Sequence, residues 1–431
     1  MASPPELSGR TYLRLVGLGA AIGIPAALVA ALFLAVVHDL EHWLWTDLPN
    51  SLGESSPPWY LVIGLPVVGA CIVVVARLLL PGDGGHSPLQ GIGGGVTPLA
   101  HAPGIALAAI GTLAFGAVLG PEAPLIALGS IVGVAVTLVV RLDERERAVL
   151  ATAGSFSAIS ALFGGPLVGG MLMVEGGLET GALLLPLILP GFVAAAIGYV
   201  IFVGLGNWGG IAVQGLVVPN LPPYEGTHVL DLLLGVAVGI AAAVVVTLAR
   251  RAARDIADRR TVRLGMPTVL LAGGLAVGLL AQIADWLGAN SQDVLFSGQA
   301  SVPDLVAQDS TKIVVILLVA KGLAYAVSLG CGFRGGPVFP GIFLAIALAM
   351  LGVVWFGVSP TLAVAIGTAA GTAAVTRLLI TSALFATLLV GTAGLDAVPA
   401  AVLAAAAAWL TMAAIDRRSQ AVAPIPGALA E

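Results

Sequence analysis

The chain is a succession of long apolar runs separated by short polar or glycine-rich segments. Such runs predict helices that cross or enter a membrane, for which about 20 apolar residues make a full span. Several runs are shorter than this, so we expect tilted and partial helices rather than a simple bundle. The runs predicted as helical are 12–38, 60–80, 104–119, 122–140, 148–175 (interrupted at 164–166), 180–204, 228–248, 265–288, 312–330, 344–357, 359–376, 378–392 and 397–415.

The composition is typical of a protein that crosses the bilayer many times. Of 431 residues, 58% are hydrophobic and 10% are charged, whereas soluble domains have about 25% charged residues. The net charge of −5 and the lack of a basic patch argue against nucleic acid as a partner. The five histidines are scattered and no hydrolase or zinc-protease motif occurs, so we expect no enzyme, no cofactor and no metal site.

Basic residues predict the orientation in the membrane. They cluster at 10–14, 77, 141–147, 250–263 and 417–418, whereas the loops at 39–58, 205–227 and 289–305 carry acids and almost no basic residues. By the positive-inside rule, both termini face the cytoplasm of a cell membrane. Residues 1–10 and 416–431 are expected to be short tails, and the charge cluster at 250–260 a solvated loop.

One carboxylate interrupts the apolar runs, in the sequence Gly-Pro-Glu-Ala-Pro at 120–124. We interpret Gly120 as the end of one helix and Pro121 as the first turn of the next, because proline suits a helix start. Glu122 then lies at a helix N-terminus within the membrane, where free N–H groups and the helix dipole attract anions. An ionisable group at membrane depth predicts a function; a simple partner of the helix dipole is the alternative.

The second half of the chain contains a similar break. Gly-Pro-Val-Phe-Pro begins at Gly336, at an offset of 336 − 120 = 216 residues from the first motif. Gly154 and Gly371 keep nearly the same register, with an offset of 371 − 154 = 217. Val338 stands where the carboxylate would fall, so the predicted ion site is asymmetric.

These offsets predict one transport domain over 11–415. It consists of two repeats, about 11–204 and 228–415, and in repeat-built transporters the ion site lies at the interface between the halves.

At these breaks the sequence resembles the CLC family of chloride channels and proton-coupled chloride transporters. Three motifs similar to those of the family occur in its usual order: Gly-Gly-His-Ser-Pro at 84–88, Gly-Pro-Glu-Ala-Pro at 120–124 and Gly-Gly-Pro-Val-Phe-Pro at 335–340. The segment Phe163–Glu175 is similar to the helix that follows the gate in that family. The similarity extends from about residue 80 to 395.

The resemblance implies an all-α membrane protein, a CLC-type inverted repeat of tilted and partly broken helices. It also implies a homodimer with one anion pathway in each subunit. Glu122 would be the gating glutamate: deprotonated, it occupies the outer anion position, and protonated, it swings out and admits chloride. Helix starts would hold chloride or a similar small anion, and the residues assigned to this role are Gly85, His86, Ser87, Ala123, Pro124, Val338 and Phe339.

Several positions depart from the family pattern. Pro121 stands where the family has lysine or arginine, and Val338 where it has phenylalanine. The serine that contacts chloride in the family falls on Gly85, and Ser87 or His86 replaces it if the loop shifts. His86 could also titrate near neutral pH, although a loop histidine bonded to nearby backbone is an equal alternative.

Further departures concern proton coupling. Gly176 takes the place of the internal glutamate of coupled members, next to Glu175, with Glu179 as a distant substitute, and residues 396–431 contain no tyrosine. The resemblance therefore leaves open whether protons are a second substrate, as in an antiporter, or whether the protein is an uncoupled channel. Another inverted-repeat, proton-linked transporter of a small organic anion is a further alternative. The sequence does not rank chloride, fluoride and nitrate.

Overall fold

The computed structural model describes residues 9–138, 140, 142–177, 184–209, 216–263 and 265–422. Within these ranges the longer elements are all α-helices, and eight helical stretches are long and apolar enough to cross a membrane. The α-helices are α1 (Gly9–His42), α2 (Leu48–Ser51), α3 (Trp59–Leu79), α4 (Ala102–Leu113), α5 (Glu122–Val136), α6 (Glu144–Leu162), α7 (Pro166–Gly176), α8 (Leu184–Gly209), α9 (Val229–Arg263), α10 (Met266–Trp286), α11 (Ser291–Val294), α12 (Val302–Val306), α13 (Thr311–Cys331), α14 (Val338–Phe356), α15 (Pro360–Thr376), α16 (Ile380–Val390) and α17 (Val398–Val422).

The two halves repeat their central helices in the same register. The broken helices α5 and α14 begin at an offset of 338 − 122 = 216 residues, and the following helices α6 and α15 at 360 − 144 = 216. In each half the first helix packs on the last one, α1 on α8 and α9 on α17. The predicted inverted repeat of tilted and partly broken helices is therefore confirmed.

Small residues allow the helices of each repeat to approach closely. A Cβ built on Gly154 of α6 would lie 2.0 Å from the carbonyl oxygen of Gly129 in α5. The corresponding crossing in the second repeat places Gly371 of α15 against Gly341 of α14, where the Cβ would lie 2.6 Å from the carbonyl oxygen. Glycine at these crossings lets backbones touch, as in other membrane helix pairs.

The segment before α5 is not helical, contrary to the sequence prediction. α4 ends at Leu113, so Gly120 is not the end of a helix. The backbone of 114–119 is instead held by side chains from distant segments: Trp45 donates to the Ala114 carbonyl oxygen, and the hydroxyl of Ser328 accepts from the Val118 N–H, both at 3.0 Å. These tertiary contacts replace the hydrogen bonds of a helix.

Other boundaries also differ from the prediction, and α14 begins at Val338 rather than at residue 344. The charge cluster at 250–260 lies in the last turns of α9 rather than in a loop. α6 begins at Glu144, because Asp143 and Glu146 form a capping box with backbone bonds of 2.7 Å and 3.0 Å. α17 continues to Val422. Residues 1–8 and 423–431 of the predicted tails, and Glu179, lie outside the described residues.

Candidate functional site: a carboxylate between two helix starts

Two glycines join the broken helices of the repeats. Gly120 and Gly336 form an antiparallel backbone pair, with N–H to carbonyl oxygen distances of 2.7 Å and 2.5 Å in the two directions. Pro121 and Pro337 follow these glycines, and α5 and α14 begin directly after the prolines. The pair therefore places the N-termini of α5 and α14 next to each other.

Glu122 is the first residue of α5, and its side chain is fully buried between these two helix starts. Its Oε1 accepts a hydrogen bond of 3.0 Å from the backbone N–H of Phe339, in the first turn of α14. A Cβ built on Gly336 would lie 1.7 Å from Oε2, and one built on Gly120 would lie 2.3 Å from it. Side chains at these two positions would displace the carboxylate, so both glycines are needed for this arrangement.

The carboxylate is anchored on one side only. No hydrogen-bond donor among the described residues reaches Oε2. A hydrogen bond to a charged group contributes about 1.5–3 kcal/mol, so the bond from Phe339 is a modest barrier to movement. The backbone N–H groups of Glu122 itself and of Val338 also stabilise the charged carboxylate.

Prolines restrict which backbone groups at the helix starts can hold an anion. Pro124, one of the residues predicted to bind the anion, has no N–H group and can contact an anion only through carbon. The remaining N–H groups of the two first turns that were predicted as donors belong to Ala123, Val338 and Phe339. Phe339 uses its N–H for the Glu122 carboxylate.

Three buried phenylalanines form an aromatic cluster next to this donor. Phe163 follows α6, Phe339 begins α14 and Phe385 lies on α16. Phe163 stacks on Phe339 with centroids 5.6 Å apart, and Phe385 meets Phe163 and Phe339 edge-on at 4.9 Å and 5.9 Å. The cluster makes the surroundings of the Phe339 N–H apolar and closely packed on one side.

A cavity of about 430 Å³ reaches the start of α5 from the loop that follows α3. Gly85, His86 and Ser87 line it together with Ala123; we call it the histidine cavity. The predicted loop residues therefore meet the α5 start. Val338 and Phe339 do not line this cavity, so the structure divides the predicted anion-binding residues between two places.

Two arginines hold the loop that forms the histidine cavity. Asp83 accepts hydrogen bonds from Arg77 at 2.7 Å and 3.0 Å and also pairs with Arg334. Arg334 lines the cavity and donates through Nε to the Asp83 carbonyl oxygen at 2.9 Å. Arg77 lies behind the lining residues Asp83 and Arg334, so the surroundings of this cavity carry two positive charges against one negative charge, which favours anions.

His86 places an enclosed ring nitrogen in this wall. Its Nε2 is buried, and no described residue forms a hydrogen bond with it. Burial lowers the pKa of His86 below the ordinary value of 6.5, a hydrogen bond with the Gln90 backbone opposes this, and the charge of Arg334 adds to it. The ring is therefore largely neutral at neutral pH and gains a second N–H donor on acidification.

A second cavity of about 370 Å³ reaches Pro121, the residue before Glu122, from the C-terminal half of α1. Three carboxylates line it: Glu41, Asp293 and Asp304. We call it the acidic cavity. Because α1 and α3 cross the membrane in succession, the end of α1 and the loop after α3 lie at opposite faces, and so do the two cavities.

A buried lysine supports the wall of the acidic cavity. Lys321 is fully buried and donates to the carbonyl oxygens of Asp293 and Leu295 at 2.8 Å and 2.7 Å. Burial raises the pKa of the Asp293 carboxyl, and the charge of Asp304 adds to the effect. Asp293 therefore holds a proton more readily than an exposed carboxylate does.

The sequence matches the family profile described as voltage gated chloride channel over residues 86–412, which is more than half of the chain. The chain belongs to the CLC family. Two relatives from Escherichia coli, both named "Putative ion-transport protein YfeO", are 29% and 30% identical to it over 352 and 353 residues, and the match covers 79% of each chain.

Solved structures of CLC proteins share the fold. A slow cyanobacterial Cl⁻/H⁺ antiporter has a TM-score of 0.74 at 16% identity, with 98% of this chain and 99% of that chain covered. A CLC-type fluoride/proton antiporter has a TM-score of 0.71 at 19% identity, with 94% and 96% covered. A eukaryotic CLC transporter has a TM-score of 0.66 at 18% identity, with 93% and 72% covered.

The resemblance predicted from three short motifs is thus confirmed, as is a multi-pass membrane protein of all-α fold. CLC-type anion transport is the function class to which the chain belongs. Sequence reasoning did not select Arg334 or Phe385. Arg334 stands in the Phe-Arg-Gly-Gly segment before α14, a signal that was available, whereas the contacts of Phe385 arise only from the packing of distant helices.

One departure from the family pattern also has a structural description. Gly176 ends α7, and the neighbouring Glu175 bonds to the start of α16 instead of being free.

The buried hydroxyl of Tyr325 donates to the Pro337 carbonyl oxygen at 2.9 Å. This tyrosine therefore supports the turn before α14.

Proposed function

We propose that this CLC protein conducts chloride or a similar small anion past Glu122, and that protonation of Glu122 opens the pathway. The observation that carries the proposal is the hydrogen bond from the Phe339 N–H to the Glu122 carboxylate. A carboxylate at a pair of helix starts occupies the position that suits an anion. When the carboxyl is neutral and swings away, chloride takes over the donors at Ala123, Val338 and Phe339.

The two cavities supply approaches to this point from opposite faces. The acidic cavity reaches Pro121 and the histidine cavity reaches Ala123, the residues on either side of Glu122. An anion in the histidine cavity would be held by the backbone at Gly85 and Ser87, by the ring of His86 and by the charge of Arg334. Backbone dipoles and few fixed charges bind an anion loosely enough to release it.

The acidic cavity fits protons better than anions. Its three carboxylates repel an anion while they are ionised and attract protons to the neighbourhood of Glu122. Two of the structurally similar proteins are described as antiporters of an anion and protons, which supports proton involvement here. The reversal potential in opposed anion and proton gradients decides whether each anion movement is coupled to a proton.

The proposal also covers the oligomeric state of the protein and its orientation in the membrane. The family resemblance supports a homodimer in which each subunit has its own pathway through one domain, 11–415. The basic clusters support cytoplasmic termini in the cell membrane. The histidine cavity, which opens beside Arg77, then faces the cytoplasm, and the acidic cavity faces outward.

Chloride efflux from liposomes that contain the purified protein tests the proposal. The wild type should release chloride faster than protein-free liposomes do. Glu122→Gln removes the charge that competes with the anion, and loss of about 1.5–3 kcal/mol from the closed state corresponds to a rise of roughly 10- to 100-fold above neutral pH.

Glu144→Gln is the matched control. Glu144 also lies in the first turn of a helix but is exposed, so its replacement should leave efflux unchanged. No chloride efflux from the wild type, or efflux that is the same in wild type and Glu122→Gln, contradicts the proposal. Proton-driven uptake of a small organic anion without chloride efflux would favour the other class of inverted-repeat transporter.

A further inference from the structure

Glu175 forms a cap for a helix to which it does not belong. It lies near the end of α7, and its Oε1 accepts hydrogen bonds from the N–H groups of Leu379 and Ile380 at 2.6 Å and 3.0 Å. Its Oε2 accepts from the N–H and the hydroxyl of Thr381, both at 2.8 Å. α16 has no side-chain cap at its own N-cap residue, Leu379, so Glu175 satisfies donors that the helix start leaves open.

The contact fixes one end of an antiparallel helix pair. At the other end of the pair, a Cβ built on Gly164 would lie 2.9 Å from a methyl carbon of Leu388, so the start of α7 is close to the end of α16. α7 and α16 begin at an offset of 380 − 166 = 214 residues, so the position that corresponds to Glu175 in the second repeat is Leu389. The Glu175 carboxylate therefore links α7 to α16 by hydrogen bonds at one end of the helix pair only.

A short series of contacts leads from the hydrogen bonds of Glu175 to the Glu122 carboxylate. Phe385 lies one helical turn after Thr381 on α16, and its ring centroid is 5.9 Å from that of Phe339. The N–H of Phe339 donates to the Glu122 carboxylate at 3.0 Å. The position of the α16 start thus determines how Phe385 supports the residue that binds Glu122.

We propose that Glu175 is a positioning residue of the gate: its carboxylate holds α16 against α7 and so keeps the aromatic cluster of Phe163, Phe339 and Phe385 closed. This inference rests on the proposed function of Glu122. Without the carboxylate, four donors at the α16 start lose their acceptor, and α16 shifts on α7. Phe385 then no longer supports Phe339, and anions pass whether Glu122 is protonated or not.

Chloride efflux measured as a function of pH tests this role in the full-length protein in liposomes. Glu175→Gln keeps the size of the side chain but turns amide hydrogens toward backbone donors. Above neutral pH, where Glu122 closes the wild-type pathway, efflux should rise roughly tenfold, the effect of losing a hydrogen bond to a charged group. The pH profile should become flat, because the leak does not depend on Glu122.

Asp143→Asn is the matched control. Asp143 also caps a helix start, that of α6, through the N–H of Glu146 at 2.7 Å, but it is not part of the path of contacts to Phe339. Its replacement should preserve the wild-type pH profile. A residue that serves only as a structural cap would change the amount of folded protein in both variants and leave the profile of the folded protein unchanged.

A second variant tests the inference even if Glu175→Gln does not fold. Phe385→Leu should produce the same flat profile with Glu175 intact. The double variant should leak no more than either single one, because the two changes act on the same contact path. A wild-type pH profile in folded Glu175→Gln, or in Phe385→Leu where Glu175→Gln does not fold, overturns the inference, as does an additive double variant.

The two proposals fail in different ways. If the wild type carries no chloride, the proposed function fails. If wild-type efflux responds to Glu122→Gln but the profile of Glu175→Gln equals that of the wild type, only the role of Glu175 is overturned.

Discussion

In the proposed mechanism, Glu122 is held in the pathway by the hydrogen bond from Phe339 and by the space that two glycines leave for it. A gate held in this way would need little energy to move, as the proposed opening and closing require. Its sensitivity to the shape of its surroundings is correspondingly large, because a single methyl group at either glycine would overlap the carboxylate.

Gly336→Ala tests this steric dependence. The added Cβ would lie 1.7 Å from Oε2, so Glu122 should be pushed out of its closed position. We expect chloride efflux above neutral pH to rise roughly 10- to 100-fold, as for the loss of its hydrogen bond. Gly265→Ala is the control, because its Cβ would meet its nearest atom at 3.7 Å, and efflux that is equal in the two variants would refute the steric account.

His86 predicts a separate pH dependence on its own side of the membrane. Because burial lowers its pKa below 6.5, the ring gains its second N–H only in the acid range, and there it should bind chloride more tightly. In a Glu122→Gln background, where the gate no longer titrates, efflux should still change as the pH falls below about 6.5. This remaining change should disappear when His86→Gln is added and persist when His101→Gln, in the same cavity, is added instead.

At the residue scale, a motif draws attention to a residue whose chemistry is unusual for its surroundings. Glu122 stands out as a carboxylate between prolines in an apolar run. Phe163 and Phe385 do not stand out, since phenylalanine is ordinary in a membrane helix and their partners are more than 150 residues away in some pairs. The lack of an N–H at Pro124 was readable from the sequence and was overlooked.

At the scale of elements, the motif repeated at an offset of 216 residues predicted a second break, and α5 and α14 begin at that offset. The residues at which helices begin and end were less predictable. α4 ends at Leu113 because Trp45 and Ser328 bond the backbone that follows, and no local signal announces contacts from such distant segments. α9 extends through the charge cluster because arginine and alanine, which make up most of it, are good helix formers.

The glycine crossings give a test of how the elements pack. Gly154→Ala would place a Cβ 2.0 Å from the Gly129 carbonyl oxygen, and overpacking of this kind costs about 1–3 kcal/mol or more. We expect a lower melting temperature and less folded protein in detergent. Gly64→Ala, at a helical glycine with no atom within 4 Å of the built Cβ, should melt like the wild type; a Gly154→Ala variant that does the same would refute the packing.

For the whole molecule, the pattern of apolar runs and three motifs was enough to predict the family and its inverted repeat. The partition of the site into an acidic and a histidine cavity was not predictable, because it depends on how loops that are far apart in the chain enclose space. The same partition bears on coupling. Gly176 lacks a carboxyl group, and Glu175 is engaged by α16.

We therefore expect weak proton coupling. With opposed chloride and proton gradients across the liposome membrane, the reversal potential should lie close to the chloride equilibrium potential. A potential displaced far toward the proton gradient would show strict exchange. It would require an internal proton acceptor other than Glu175.

The central claim is that the Glu122 carboxylate and the transported anion compete for the same helix-start donors. Calorimetric titration with chloride in buffers of different ionisation enthalpy measures this competition directly, because displaced carboxylates take up protons as chloride binds. The account predicts net proton uptake by the wild type above neutral pH and none by Glu122→Gln, which should bind chloride more tightly. Equal proton uptake by the two proteins, or chloride binding that is unchanged by the substitution, would contradict it.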